Sequence, residues 1–516
     1  MTFQHALMVQ DFLENSTERT PDKEALICGN DRLTYARVEA MANRFANYLR
    51  ANGIGRGDRV ILYLPNTVEL VAGIFGALKA GGVFVVVNHT TKEDKLLYMA
   101  NNCRASAIVA RGRDADMIAQ VMTAAPSLKF AVLTERKSVE ASASHERMMA
   151  WEVIQAECPA ERPSRLGIDR DLACLIYTSG STGEPKGVMS AHHNVVFATS
   201  SIIHYLQNVA EDIVIVVSPL SFDYGLYQLL MVFKFGGTLI LEKGFTYPAQ
   251  ILQLMEKEKV TGFPGVPTVF ALLLQMDLSG YDLSNLRYIT NTAAALPPSH
   301  IQKIGEIFPW ATMYSMYGLT ETKRTLYLPP EQLKTRPGSV GIAIPGTEVW
   351  LEDENGNRLG PGEVGELVVR GGHVMMGYWE RPEATAQRYR PGPIAGERVC
   401  YSGDLFRMDD EGYLYFVGRK DDIIKSRGEK VAPKEVENVL YSLPGVTEAA
   451  VIGIPDPVLG QAIKAILVVP DGRLTEREVL AYCKAHLEDF MVPQIVEFRD
   501  ELPKTSSGKI KKTDLS

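Results

Sequence analysis

The chain is poor in cysteine, with six in 516 residues, and none of them forms a C-x-x-C pair. Cys28, Cys103, Cys158, Cys174, Cys400 and Cys483 are scattered, which argues against a disulfide framework or a zinc ribbon and fits free thiols in a reducing compartment. Positive charge is also short. Lys and Arg number 54 against 62 Asp and Glu, a net charge of −8, so nucleic acid is not the expected partner. No window reaches the roughly 18 uninterrupted apolar residues of a membrane span. The opening MTFQHALMVQDFLENSTERTPD lacks the basic-then-apolar order of a secretory signal, so the expected location is the cytoplasm. Three enzyme signatures are missing as well: H-E-x-x-H, the G-x-S-x-G elbow and the Walker spacing G-x-x-x-x-G-K-[ST]. An anionic nucleotide would therefore have to be held by local donors.

What is present reads as an α/β protein of more than one domain, with 46% apolar and 22% charged residues. Strand-like DRVILYLPN is followed by helical ELVAGIFGALKAGG and a second strand VFVVVNH. DIVIVVSPL, GLYQLLMVFKFGG and GTLILEK repeat the order strand, helix, strand. LRYITNTA and ATMYSMYG look like further strands ending in small or polar residues, where open α/β sheets bind their ligands. From about residue 345 short strands and turns predict a β-rich subdomain. Beyond about Lys420 a compact α/β unit of two helices and three strands is expected. The expected division is a large domain over 1–420 and a small one over 421–516.

The segment Leu175–Val188, LIYTSGSTGEPKGV, carries the clearest chemistry. A strand opens into hydroxyls and glycines and closes on Lys186. Glycines let the backbone approach a phosphate, and hydroxyls and amide N–H groups donate to its oxygens. On composition alone a solvated surface loop is the commoner meaning of such a stretch. Gly360-Pro-Gly362-x-x-Gly365 fits G-x-G-x-x-G, but a strand follows it, so it reads as a turn. His192 and His193 have no ligand-spaced partner and are expected to be structural.

TSGSTGEPKG resembles the signature loop of the adenylate-forming superfamily, which includes acyl-CoA synthetases, luciferases and peptide-synthetase adenylation domains. YGLTET (Tyr317–Thr322), YSGDLFRMDDEGYLYFVGRKDDIIKSRGEKV (Tyr401–Val431) and LPKTSSGKI (Leu502–Ile510) follow in the superfamily's order, and the likeness runs over essentially the whole chain. In look it is nearest to bacterial AMP-forming acyl-CoA ligases. The resemblance implies ATP-dependent activation of a carboxylic acid to its acyl-AMP, then transfer to the thiol of coenzyme A. The alternative is a stand-alone ligase that loads an amino acid or acyl group onto a phosphopantetheinyl carrier protein in trans. Neither nucleic acid nor a membrane span is expected among its partners, and a homodimer is left open.

The resemblance also implies residue roles. Thr178, Ser179, Gly180, Ser181, Thr182, Gly183 and Lys186 would hold the β- and γ-phosphates. Tyr317 and Gly318 would lie against adenine, Thr320 would meet the α-phosphate and Glu321 would help hold Mg²⁺, a cation that prefers hard oxygen. Asp404 would accept from the ribose hydroxyls with Arg419 beside it, and Lys509 would be the catalytic lysine, chosen by motif from Lys504, Lys509, Lys511 and Lys512. Asp421 would be the hinge of a small, mobile C-terminal domain. Gly428 and, less directly, Lys430 and Arg427 would meet the pantetheine arm and its phosphates. Phe222, Asp223, Tyr224, Gly265, Val266, Thr292, Ala293, Ala294, Met316 and Gly318 would line the acyl pocket. Asp223 is the specificity clue. A buried carboxylate needs a cation or donors, and peptide-synthetase domains place an aspartate there for an α-ammonium; the plainer reading is an aspartate bonded to backbone at a strand end. Thr292 would narrow the pocket against a long fatty chain.

Overall fold

A computed structural model describes residues 6–135, 147–178, 185–292, 296–426, 429–456, 458–470, 472–505 and 509–515. The chain divides into two compact units. The first holds residues 1–264 with two returns, 320–323 and 371–389; the second holds 265–319, 324–370 and 390–516.

A seven-stranded sheet dominates the first unit, in the order Met148–Ala150, Phe130–Thr134, Ala105–Arg111, Arg59–Tyr63, Val83–Val86, Leu172–Thr178, Lys186–Ala191. All its pairs are parallel except the last. Its inner strands, such as Ala105–Arg111 and Val83–Val86, are buried throughout and therefore read as unbroken apolar runs rather than alternating ones. A second set of parallel strands, Glu24–Cys28, Thr238–Leu241 and Ile213–Val216, lies in the same unit. The helix Val68–Lys79 starts on Thr67, whose side chain accepts from Leu70 N, and the helix Asp223–Phe235 stops at Gly236 with φ +85°. These two helices and the strands Arg59–Tyr63, Val83–Val86, Ile213–Val216 and Thr238–Leu241 are elements that the apolar runs predict.

In the second unit Tyr288–Asn291 and Thr312–Leu319 pair in parallel. An antiparallel run of Ser339–Ala343, Leu414–Arg419, Arg398–Met408 and Val364–Gly371, with Thr347–Glu352 at its edge, forms the expected β-rich part. The chain's last hundred residues build a five-stranded sheet from Ile424–Ser426, Glu429–Val431, Glu448–Asp456, Gly460–Val468 and Ile495–Phe498. The helices Pro433–Ser442 and Glu476–His486 cover it over a core that includes Val436, Leu440, Ile463, Leu467 and Val479. Among the described residues no helix is long and apolar enough to cross a membrane.

Candidate active site

In the first unit, Leu172–Thr178 runs parallel to Val83–Val86 and then pairs antiparallel with Lys186–Ala191, so that Thr178 faces Lys186 across the ladder. The two strands flank the glycine- and serine-rich segment in the sequence, and Thr178 ends its strand at the carboxyl end, where parallel sheets bind ligands. Ser179, Gly180, Ser181, Thr182 and Gly183 lie outside the described residues. The returning strand Lys186–Ala191 has no apolar alternation to announce it.

A third backbone segment lies against that returning strand. Met376 N donates to Met189 O, Met189 N to Gly377 O, and Trp379 N to Gly187 O. The same segment reaches the turn that carries Glu321, because Met375 N donates to Glu321 O. Asn194 fixes it from the other side by donating to Gly372 O and Val374 O. Tyr378, buried on this segment, donates its hydroxyl to Glu321 Oε1 at 2.5 Å. Arg388 donates to the same hydroxyl at 3.3 Å and lies 3.9 Å from the carboxylate. Lys186 Nζ sits 5.6 Å over the Tyr378 ring. Burial, and then the Glu321 charge, hold the Tyr378 phenol well above its usual range, so it stays a donor. Neither Tyr378 nor Arg388 belongs to a motif read from the sequence, and GYWERPEAT offers no charge pattern that would have singled them out.

Thr320, Glu321 and Thr322 form the turn before Lys323–Tyr327. Thr322 and Lys323 are completely buried, and Lys323 has φ +59°, a backbone conformation uncommon outside glycine. Its ammonium reaches Asp223 Oδ1 at 2.9 Å. Asp223 is the first residue of the helix Asp223–Phe235, where the helix N-terminus favours a carboxylate. Gly225, two residues on, cannot be replaced: a Cβ there would stand 2.6 Å from Pro219 O and 2.8 Å from Ser218 O. Phe222 is half-buried and Tyr224 buried. His192 is structural as expected. Its Nδ1 accepts from Val9 N at 3.1 Å, and burial lowers its pKa to about 4.

In the second unit, Tyr317 donates its hydroxyl to Asp404 Oδ2 at 2.6 Å. Its ring packs edge-on against Phe406 with centroids 4.9 Å apart. Burial, and then Asp404, push its phenol up. Asp404 and Arg419 are register partners on adjacent antiparallel strands, with Nε and Oδ1 4.0 Å apart. Gly403, with φ +71°, turns the strand just before Asp404. Gly318 is half-buried, while Val266, Thr292 and Met316 are buried. At Gly265 a Cβ would meet the Phe270 ring at 2.5 Å. Ala293 and Ala294 lie outside the described residues.

Further along, Asp421 sits in an exposed turn between Leu414–Arg419 and Ile424–Ser426. Arg427 and Gly428 lie outside the described residues, as does the side chain of Lys430, whose backbone pairs with Lys425. Three of the four C-terminal lysines are matched to carboxylates: Lys504 to Glu448, Lys511 to Asp514 at 2.7 Å and Lys512 to Glu437 at 2.7 Å. Lys509 is fixed through its backbone, its N–H donating to Thr505 Oγ1 at 3.1 Å and its carbonyl accepting from Thr505 N at 2.7 Å.

Comparison with known proteins covers most of the chain. The AMP-binding enzyme family matches residues 13–379, and the AMP-binding enzyme C-terminal domain matches 435–509. A long-chain-fatty-acid–CoA ligase of Bacillus subtilis is 32% identical over 97% of this chain and 93% of its own length. A feruloyl-CoA synthase of an Amycolatopsis species is 35% identical over 96% of each. Among solved structures, an anthranilate CoA ligase in complex with anthranoyl-AMP superposes with a TM-score of 0.91 at 27% identity, covering 99% of this chain and 97% of the other. The ATP-bound MatB of Rhodopseudomonas palustris superposes with a TM-score of 0.88 at 28% identity over 98% of each. The chain therefore belongs to the AMP-binding enzyme family and is an AMP-forming acid–thiol ligase.

Proposed function

We propose that the chain joins a small carboxylic acid to the α-phosphate of ATP, releases pyrophosphate, and passes the acyl group to the thiol of coenzyme A. The observation that carries this reading is the pair of tyrosine-held carboxylates, Glu321 and Asp404, each on a motif of the family. In the first step a carboxylate oxygen attacks the α-phosphorus and the bond to pyrophosphate breaks. In the second the thiol sulfur attacks the acyl carbonyl, AMP leaves, and the thiol proton is released to solvent.

Lys186 and the TSGSTG segment before it meet the outer phosphates, and Thr320 donates to the α-phosphate. Asp404, an acceptor-only group when ionised, suits the two ribose hydroxyls. Among the described residues no group of three or more His, Cys, Asp or Glu could enclose a metal. One hard carboxylate completed by phosphate oxygens is how Mg²⁺ is commonly held, and Glu321 fits that pattern. When bound, Mg²⁺ neutralises phosphate charge; Tyr378 and Arg388 orient the Glu321 carboxylate for it. Lys509 stabilises the charge that gathers between the attacking carboxylate and the α-phosphate. The exposed turn at Asp421 supports a hinge there, with the small domain beginning at residue 421.

Carrier loading of an amino acid is the weaker reading, because Asp223 already has a cation in Lys323. Pyrophosphate release across amino, aryl and short-to-long fatty acids, with and without coenzyme A, tests the proposal. Release with non-amino acids and thioester formation with coenzyme A are expected. Release with amino acids only, and no thioester from coenzyme A, would overturn it.

A further inference from the structure

Lys186 stands between two residues that a single helix fixes. The helix Glu93–Asn102 carries Tyr98 and Asn102 four residues apart, and so on one face. Tyr98 donates its hydroxyl to Pro185 O at 3.3 Å. Asn102 Oδ1 accepts from the Tyr177 hydroxyl at 2.6 Å. Tyr177 is the register partner of Gly187, and a Cβ on that glycine would stand 3.3 Å from Tyr177 Cζ. Burial holds the Tyr177 phenol well above its usual range, so it stays a donor to Asn102.

The same two helix residues bond to the segment that carries Tyr378. Arg381 donates to the Tyr98 hydroxyl at 3.0 Å, and Trp379 Nε1 donates to Asn102 O at 3.0 Å. A phenol has one proton. With Arg381 donating to its oxygen, that proton is directed to Pro185, and the guanidinium charge strengthens the bond. Tyr98 and Asn102 thus each join a residue beside Lys186, or its register partner's neighbour, to the segment whose Tyr378 holds Glu321. Leu96, Met99 and Ala100 already seat the helix in the apolar core, so these polar bonds are additional to its packing.

From this geometry we infer that Tyr98 and Asn102 are positioning residues for Lys186, setting its ammonium relative to the Glu321 carboxylate so that both act on one triphosphate. The inference rests on the proposal that Lys186 meets the outer phosphates.

The test is calorimetric affinity for ATP and for AMP in the wild type, Tyr98→Phe and Asn102→Ala, beside steady-state KM and kcat. AMP lacks the phosphates that Lys186 would meet. Each variant is therefore expected to lose about threefold to tenfold in ATP affinity, with KM for ATP rising in step, the worth of one neutral hydrogen bond. AMP affinity and kcat should stay within about twofold. Asn102→Asp keeps an acceptor for Tyr177 and should restore ATP affinity. Asn101→Ala, on the same helix but bonded to Ala124 O, should change neither affinity. Equal losses for ATP and AMP, unchanged ATP affinity in either variant, or no restoration by Asn102→Asp overturns the inference. Where Asn102→Ala fails to fold, Arg381→Met takes its place and should show the same selective loss; equal losses for ATP and AMP would overturn it. The ligase proposal fails separately. Selective loss of ATP affinity in a protein that forms no thioester sustains this inference alone. Thioester formation with ATP affinity unchanged in the variants does the opposite.

Discussion

Glu321 and Asp404 lie in different units of the molecule, yet their surroundings follow one plan. Each carboxylate accepts from a tyrosine hydroxyl, Tyr378 at 2.5 Å for Glu321 and Tyr317 at 2.6 Å for Asp404. Each has an arginine Nε nearby, that of Arg388 at 3.9 Å and that of Arg419 at 4.0 Å. The difference lies in how open they are. Arg419 is 65% exposed and Arg388 30%, and the segment carrying Tyr378 is tied by backbone hydrogen bonds of Met375, Met376, Gly377 and Trp379 to both the Lys186–Ala191 strand and the Glu321 turn. A carboxylate that meets a metal among phosphates gains from a rigid, desolvated mount. One that accepts from ribose hydroxyls needs only to stay ionised and correctly aimed.

The largest expected effect would sharpen this comparison by removing the group that serves neither carboxylate. Lys509→Ala should cut acid-dependent pyrophosphate exchange by about 10²–10³-fold while ATP binding persists. Lys504→Ala, Lys511→Ala and Lys512→Ala should each change the rate by less than about threefold; the first two break partly exposed pairs, and the third, which leaves the buried Glu437 short of a cation, should cost stability rather than rate. A Lys512→Ala variant as damaged as Lys509→Ala would break the assignment. Next come the two tyrosines. Tyr378→Phe and Tyr317→Phe should each cost about tenfold to a hundredfold, the worth of one hydrogen bond to a charged group. The first loss should appear in the Mg²⁺ requirement and the second in the KM for ATP. The smallest effect concerns acid stability. Burial lowers the pKa of His192 and His300 to about 4 and that of His373 to about 3. All three are depressed from about 6.5, so the unfolded chain takes up protons first. The stability they confer is present above pH 6.5 and lost as the pH falls towards 4, by about 1.4 kcal/mol per pH unit for each histidine. Two of the three, His192 and His373, lie in the first unit, so hydrogen exchange there should quicken more steeply on acidification than in the second unit.

The same comparison shows why the surroundings of Asp404 were legible in the sequence and the partners of Glu321 were not. Tyr317, Asp404 and Arg419 all fall in short motifs, and the antiparallel ladder that sets Asp404 opposite Arg419 follows from two adjacent strands. Glu321 was legible too, but its partners Tyr378 and Arg388 are 57 and 67 residues further on. They reach it only because an irregular segment docks against the Lys186–Ala191 strand, a tertiary contact that no periodicity announces. The buried Lys323 was hidden for a related reason. A lysine opening KRTLYLPP reads as a solvated strand end, and only the position of the helix Asp223–Phe235 makes it the partner of Asp223. The helices and strands themselves were readable because their apolar spacing is dictated by the cores they cover.

The distinction between the two carboxylates is tested most directly by crossed titrations of Mg²⁺ and ATP in Glu321→Gln and Asp404→Asn, following acid-dependent pyrophosphate exchange. The account predicts that Glu321→Gln raises the Mg²⁺ concentration needed for half-maximal rate about tenfold or more, and that excess Mg²⁺ partly restores it. Asp404→Asn should raise the KM for ATP at every Mg²⁺ concentration, with no rescue by the metal. Identical responses of the two variants to Mg²⁺ would contradict it.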